Sequence, residues 1–251
     1  MDSSAPSPEP DRLYVIGDIH GRADLLDRMI AAIADDLAAR PAADSLVVTV
    51  GDYVDRGPDS RGVIERLLGN PFPTRYIALK GNHEELLHGF LLNPEVAAHW
   101  RRLGGLETMQ SYGVAVGEVM RGKGYLEAAR ALATAIPAAH FDFLAALRTS
   151  LTVGKYFICH AGVRPGVPLG RQAEEDLLWI RDEFLNSRAD FGKIVVHGHT
   201  PAEQPELLPN RINVDTGAFM TGRLTCAVLD ADGVRFLSTA AVSNTAAPGF
   251  P

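Results

Sequence analysis

The sequence predicts an α/β fold in which two mixed β-sheets form a central sandwich flanked by helices, with a helical insertion. Three observations carry this. β-rich apolar runs alternate with amphipathic helical stretches over the first third of the chain; a mostly helical segment follows; strands then return as short, closely spaced runs.

Residues 13–17 read as the first strand. The segment after them places Leu25, Leu26, Met29, Ile30, Ile33 and Leu37 at helical spacing. Residues 46–51 and 76–79 are further strands, with a helix over 60–68 between them. The result is a βαβαβ unit whose crossovers should be right-handed and whose sheet should be parallel. From 84 to 148 the pattern is helical, with interruptions at Pro94, Gly104-Gly105, Gly113, Gly122 and Pro137. An insertion over about 86–150 is therefore expected beside the site. Strands are expected again at 151–159, 193–196, 211–214, 224–229 and 234–237, with a helix over 174–184. The turn Asp230-Ala231-Asp232-Gly233 predicts an antiparallel hairpin in the second sheet. Residues 1–10 are rich in Ser and Pro, and 240–251 carry Ala, Pro, Ser and Gly, so both ends read as mobile tails around one domain over 11–239.

A hydrophobic content of 46% over 251 residues suits one well-buried core. The 24 basic and 31 acidic residues leave a net charge of -7, which argues against a nucleic acid partner and requires any phosphate to be captured locally. No apolar run is long enough to span a bilayer. The first ten residues lack the basic-then-apolar pattern of a signal peptide, so a cytoplasmic protein with no membrane partner is expected. Cys159 and Cys226 lie in apolar runs and read as buried thiols.

Chemistry concentrates in five segments: Gly17-Asp18-Ile19-His20-Gly21, Gly51-Asp52-Tyr53-Val54-Asp55-Arg56-Gly57, Gly81-Asn82-His83-Glu84, His160-Ala161-Gly162 and His197-Gly198-His199-Thr200. Most follow a predicted strand, so they fall where open α/β sheets place their sites. Asp18 and His20 are close enough to share one ion. Asp52 is suited to bridge two, because its two oxygens can each meet a cation. Asn82, His160 and His199 would complete a second ion with neutral donors. Mixed oxygen and nitrogen ligation suits Mn²⁺, Fe or Zn²⁺. Two such ions roughly 4 Å apart hold a hydroxide for in-line attack on phosphorus, which is two-metal phosphoesterase chemistry. Arg56 and Arg181 can grip phosphoryl oxygens. Arg164 is ranked below them, and His197 and Asp215 are read as outer supports or turn residues.

These segments resemble the phosphoprotein phosphatase family of calcineurin-like metallophosphoesterases, whose motifs have the forms GDxHG, GDxVDRG and GNHE. The resemblance covers about residues 12–238. It implies that Asp18, His20 and Asp52 bind one metal and that Asp52, Asn82, His160 and His199 bind the other. It also implies that His83 protonates the leaving oxygen, that Asp55 orients His83, and that Arg56 binds phosphate. Arg181, in Leu177-Leu178-Trp179-Ile180-Arg181, resembles the second phosphate-binding arginine of bacterial and phage members.

His160-Ala161-Gly162, the Leu-Leu-Trp-Ile-Arg segment, Val214-Asp215-Thr216-Gly217-Ala218 and the stretch Gly104-Gly105-Leu106-Glu107-Thr108 all point to the bacterial and bacteriophage-type subgroup. The leading expectation is a serine/threonine protein phosphatase using two divalent ions, Mn²⁺ first, with a phosphoprotein or phosphorylated small molecule as substrate. A monomer is expected. Symmetrical diadenosine tetraphosphate hydrolysis is the alternative, and a non-catalytic phosphate-binding module is a third reading.

Overall fold

The computed structural model describes residues 9–240. The expected tails, 1–10 and 240–251, therefore lie outside the described residues except for residues 9, 10 and 240. The strands are β1 (Arg12–Ile16), β2 (Ser45–Thr49), β3 (Arg75–Ala78), β4 (Ser150–Val153), β5 (Tyr156–Cys159), β6 (Ile194–His197), β7 (Glu206–Leu207), β8 (Arg211–Asn213), β9 (Thr225–Asp230) and β10 (Gly233–Ser238). The helices are α1 (Ala23–Ala39), α2 (Ser60–Leu68), α3 (Asn82–Leu92), α4 (Ala97–Trp100), α5 (Gly105–Ser111), α6 (Gly117–Met120), α7 (Tyr125–Ala135), α8 (Ala138–Ala145), α9 (Glu174–Trp179), α10 (Asp182–Leu185) and α11 (Ala218–Thr221).

One sheet has the order β10-β9-β1-β2-β3 and the other β4-β5-β6-β8-β7. Both are mixed, as expected: β1, β2 and β3 run parallel, whereas β9 is antiparallel to β1. The period-2 alternation of strands decides the layering. Leu13 and Val15 face inward with Leu46, Val48, Ala227 and Leu229 and meet Ile158, Val196 and Ile212 of the second sheet. Tyr14, Ile16, Val47, Cys226 and Val228 face the other way, under the helices, together with Leu26, Met29 and Ile33 of α1. The outer face of the second sheet, through Phe157, Cys159 and Val195, is covered by Leu177, Ile180 and Phe184. The layers thus run helix, sheet, sheet, helix.

Three expectations need correction. The β9–β10 hairpin joins the first sheet, not the second. β9 is apolar on both faces, so it needs a neighbour inside the sandwich, and β1 supplies it. The single strand expected over 151–159 is two antiparallel strands, β4 and β5, folded at Gly154, whose φ of 51° makes the turn that a side chain would resist. The helix expected over 174–184 breaks at Ile180, which is extended, leaving α9 and α10 with Arg181 at the junction. Two-residue β7 gave no periodic signal in the sequence. The segment between β3 and β4 is helical as expected, although its first helix starts at Asn82. Among the described residues, no helix is long and apolar enough to cross a membrane.

Candidate metal centre

The five segments converge at the carboxyl ends of β1, β2, β5 and β6 and at the first turn of α3. Their backbones are unusual. His20, Asp52, Asp55, Arg56 and His199 all have φ between 47° and 73°, a left-handed conformation that is costly with a Cβ. Asn70, in a turn elsewhere, is the other described non-glycine residue of this kind. Hydrogen bonds hold the turns in place. Glu84, third residue of α3, accepts from the amides of Gly81, Asp52, Tyr53 and Val54, and so ties the loop after β2 to the start of α3. The amide of His83 donates to Asp52 Oδ1 at 3.1 Å.

His20 and His160 are each oriented by a backbone carbonyl. His20 Nδ1 donates to Val54 O at 2.9 Å, which turns Nε2 toward Asp52 Oδ2 at 3.3 Å. His160 Nδ1 donates to Val50 O at 3.0 Å, which turns Nε2 toward Asn82 Oδ1 at 2.9 Å, His199 Nδ1 at 3.2 Å and Asp52 Oδ1 at 3.4 Å. His199 Nδ1 also lies 3.0 Å from Asn82 Oδ1. With its proton committed to the backbone, each of His20 and His160 offers only a lone pair to these oxygens. Lone pairs facing one another across about 3 Å form the donor set of a cation. This arrangement fits divalent metal on both sides of Asp52. The ligand atoms of Asp52, His160 and His199 lie within 4.8 Å of one another, as do those of His20, Asp52 and His83.

Electrostatics agree with that fit. Burial lowers His20 to about 3 and His199 to about 2, and lowers His160 as well, which favours the neutral imidazole that a metal would need. Burial opposes ionisation of Asp52, but the facing imidazoles, His160 and His83 foremost, bring its pKa below the usual carboxylate range. With burial holding His20, His160 and His199 toward their neutral forms, His83 is the imidazole left to balance Asp52, and a divalent ion bound between these groups would supply the remaining charge. Burial, then the charges of Asp215 and Asp52, raise Asp18 well above its ordinary value. Asp215 is pushed up to about 6, chiefly by burial. Crowded buried carboxylates of this kind need positive charge among them.

His83 is the one imidazole held toward its charged form. Burial opposes this, and Asp52 and Asp55 outweigh it to raise its pKa. Its Nδ1 donates to Asp55 Oδ2 at 2.6 Å, and its Nε2 lies 3.2 Å from Arg56 Nη2 and 3.8 Å from Asp52 Oδ2. Asp55 Oδ2 also accepts from Trp100 Nε1 at 2.6 Å, and Asp55 Oδ1 accepts from the Thr108 hydroxyl at 2.6 Å. The Arg56 guanidinium stands 4.7 Å over the Phe219 ring, which meets His20 edge-on at 5.4 Å.

Not every candidate joins the cluster in the same way. The Asp18 carboxylate is turned onto the amide of His199, at 3.1 and 3.3 Å, and lies in neither three-ligand group. Arg181 is exposed, with Nη1 3.3 Å from Thr200 Oγ1. Arg164 is engaged elsewhere, gripping Asp176 at 2.5 and 2.8 Å and Glu183 at 2.5 Å. His197 is buried beneath the site with Nε2 3.4 Å from Arg211 Nη1, and Asp215 anchors the turn at Gly217 through that residue's amide at 2.8 Å. Sequence reasoning assigned no role to Glu84, Ser60, Trp100, Thr108 or Phe219. Glu84 carried a readable signal, an acid at the third position of a helix. The others carried none that local spacing could expose.

A family model for calcineurin-like phosphoesterases matches residues 11–235. The asymmetrical bis(5′-nucleosyl)-tetraphosphatase of Anoxybacillus flavithermus is 28% identical over 232 residues, covering 84% of this chain and 87% of the relative. Serine/threonine-protein phosphatase 1 of Salmonella typhimurium is 30% identical over 220 residues, covering 86% and 90%. The crystal structure of a cold-active protein-tyrosine phosphatase from a psychrophilic Shewanella superposes with a TM-score of 0.63 at 14% identity, over 90% of this chain and 77% of that one. The tetraphosphatase relative is of the asymmetrical kind, whereas the sequence resemblance had suggested the symmetrical one. With the convergent ligand set and a family match spanning nearly the whole described fold, the chain belongs to the calcineurin-like metallophosphoesterases.

Proposed function

We propose that this protein hydrolyses phosphomonoesters of alcohols, with phosphoserine and phosphothreonine in proteins as the leading substrate class. One observation carries the choice: His83 is clamped through Nδ1 to the buried carboxylate of Asp55 at 2.6 Å, with its Nε2 beside Arg56 and Asp52 at the edge of the ligand cluster. An alkoxide is a poor leaving group and needs a proton as the P–O bond breaks; a nucleotide phosphate is a good leaving group and needs one far less. A built proton donor therefore favours the alkyl ester.

In this reading Asp18, His20 and Asp52 hold one divalent ion, and Asp52, Asn82, His160 and His199 hold a second. Such oxygen and nitrogen donors suit Mn²⁺, Fe or Zn²⁺, and Mn²⁺ is the ion taken first for the assays. When bound, the two ions supply Lewis acidity and lower the pKa of water. The chain's own groups do the rest. Arg56 binds phosphoryl oxygens from beside His83, and Arg181 reaches them from the opposite wall. His83 gives its Nε2 proton to the departing oxygen, and Asp55 keeps the ring aligned and its charge balanced. Residues 11–239 act as one catalytic unit, monomeric and cytoplasmic.

His83→Asn tests this directly. Turnover of an alkyl phosphate should fall about 10²- to 10⁴-fold, and that of p-nitrophenyl phosphate far less, with metal content unchanged. Equal losses on both substrates would contradict the assignment.

A second reading is asymmetrical dinucleoside tetraphosphate hydrolysis. The half-buried Phe219 ring beside Arg56 favours it, because an aromatic face at a phosphate site can stack a base. Comparing kcat/KM on phosphopeptides and dinucleoside tetraphosphates with Mn²⁺ separates the two, and a strong preference for the nucleotide would displace the leading one.

A further inference from the structure

We propose that the helical segment between β3 and β4 positions the reacting groups: Trp100, Gly104 and Thr108 hold Asp55 and Arg56 in a conformation those residues would not keep by themselves. The inference rests on the reading of His83 as proton donor and gives roles to residues that the motifs left without one.

Asp55 and Arg56 are consecutive non-glycine residues with φ of 73° and 68°, so the chain must be restrained at this point. Much of the restraint comes from the helical segment. The amide of Arg56 donates to Gly104 O at 3.2 Å. The amide of Asp55 donates to Thr108 Oγ1 at 2.8 Å and to Ser60 Oγ at 3.0 Å. Thr108 then returns its own hydroxyl proton to Asp55 Oδ1, so one side chain fixes both the backbone and the carboxylate of the same residue. Trp100 Nε1 donates to the very oxygen that faces His83. Asp55, Trp100 and Thr108 are all fully buried, so water cannot replace these bonds.

The approach is close enough to require glycine. A Cβ on Gly104, itself at φ 104°, would collide with the backbone nitrogen of Arg56, and one on Gly105 would collide with the Trp100 ring. The Gly104-Gly105 pair thus lets α5 and the Trp100 indole reach the loop after β2. Loss of the Thr108 hydroxyl would leave Asp55 Oδ1 without its donor and the Asp55 amide with Ser60 Oγ alone, and would loosen the alignment of Asp55 with His83.

The test uses the full-length protein with Mn²⁺ and four variants, Thr108→Val, Thr108→Ser, Trp100→Phe and His83→Asn, each assayed on a phosphoserine peptide and on p-nitrophenyl phosphate, with metal content measured. Thr108→Val should lower kcat on the peptide about 10-fold or more with KM and metal content retained, and lower p-nitrophenyl phosphate turnover much less; Thr108→Ser should recover to within about 3-fold of the parent. Trp100→Phe, which keeps an aromatic ring but removes the N–H, should show the same leaving-group split and serves if the valine variant does not fold. If His83→Asn discriminates between the substrates while Thr108→Val and Trp100→Phe lose both equally or lose nothing, the positioning role is overturned and the general-acid reading stands. If His83→Asn itself fails to discriminate, the general-acid reading falls and the positioning role with it.

Discussion

Asp55 and His83, on the wall contributed by the first sheet and α3, lie in a buried lattice that also takes in Thr108, Ser60, Trp100 and Glu84. On the wall from the second sheet, His160 and His199 meet the same cluster, but Arg181 beside them is exposed at the break between α9 and α10 and touches a single hydroxyl. The contrast is between side chains fixed by several buried bonds and one free to move, which under the proposed function separates groups that must be aligned from one that need only reach the substrate. In the proposed reading, orienting His83 as proton donor depends on buried hydrogen bonds with no water to compete. An exposed guanidinium can swing to a phosphate when one arrives, at the cost of ordering its side chain.

The largest expected effect is at the residue joining both walls. Asp52→Asn should remove the charge shared by His20 and His160 and cost about 10³-fold or more in turnover together with bound metal, read by activity and metal analysis. Retention of both ions and activity would break the comparison at its centre. Arg56→Ala comes next, with kcat down about 10²- to 10³-fold, as for the loss of a fixed donor to transition-state charge. Arg181→Ala should act mainly on KM, about 10-fold, because its contact is made only after substrate arrives. If both arginines lowered kcat alike, the two walls would not differ as described. The smallest effect belongs to Arg164→Ala, within about 2-fold in turnover, since its guanidinium is spent on buried Asp176 and exposed Glu183 and not on the ligand cluster.

Much of this site was legible in the sequence because its parts are local. Asp18 and His20, Asp52 with Asp55 and Arg56, and Asn82 with His83 each occupy one turn at the end of a strand or the start of a helix, where a short motif states both identity and spacing. The sandwich was legible for a similar reason, since alternating apolar residues report two buried faces. What stayed hidden depends on partners distant in the chain. Trp100 and Thr108 become significant only when the helical segment folds back onto Asp55, 45 and 53 residues away. The placement of β9 depends on β1, more than two hundred residues earlier in the chain, and the turn after Asp230 states only that a hairpin exists, not which sheet receives it. The break at Ile180 was masked by a helical apolar spacing that continues through Phe184.

The proposed function requires a pair of cations astride Asp52, which anomalous diffraction from crystals grown with Mn²⁺ would locate. Two peaks about 4 Å apart are expected, one beside His20 and the other among Asn82, His160 and His199, with an Asp52 oxygen facing each. A single peak, or peaks remote from Asp52, would contradict it.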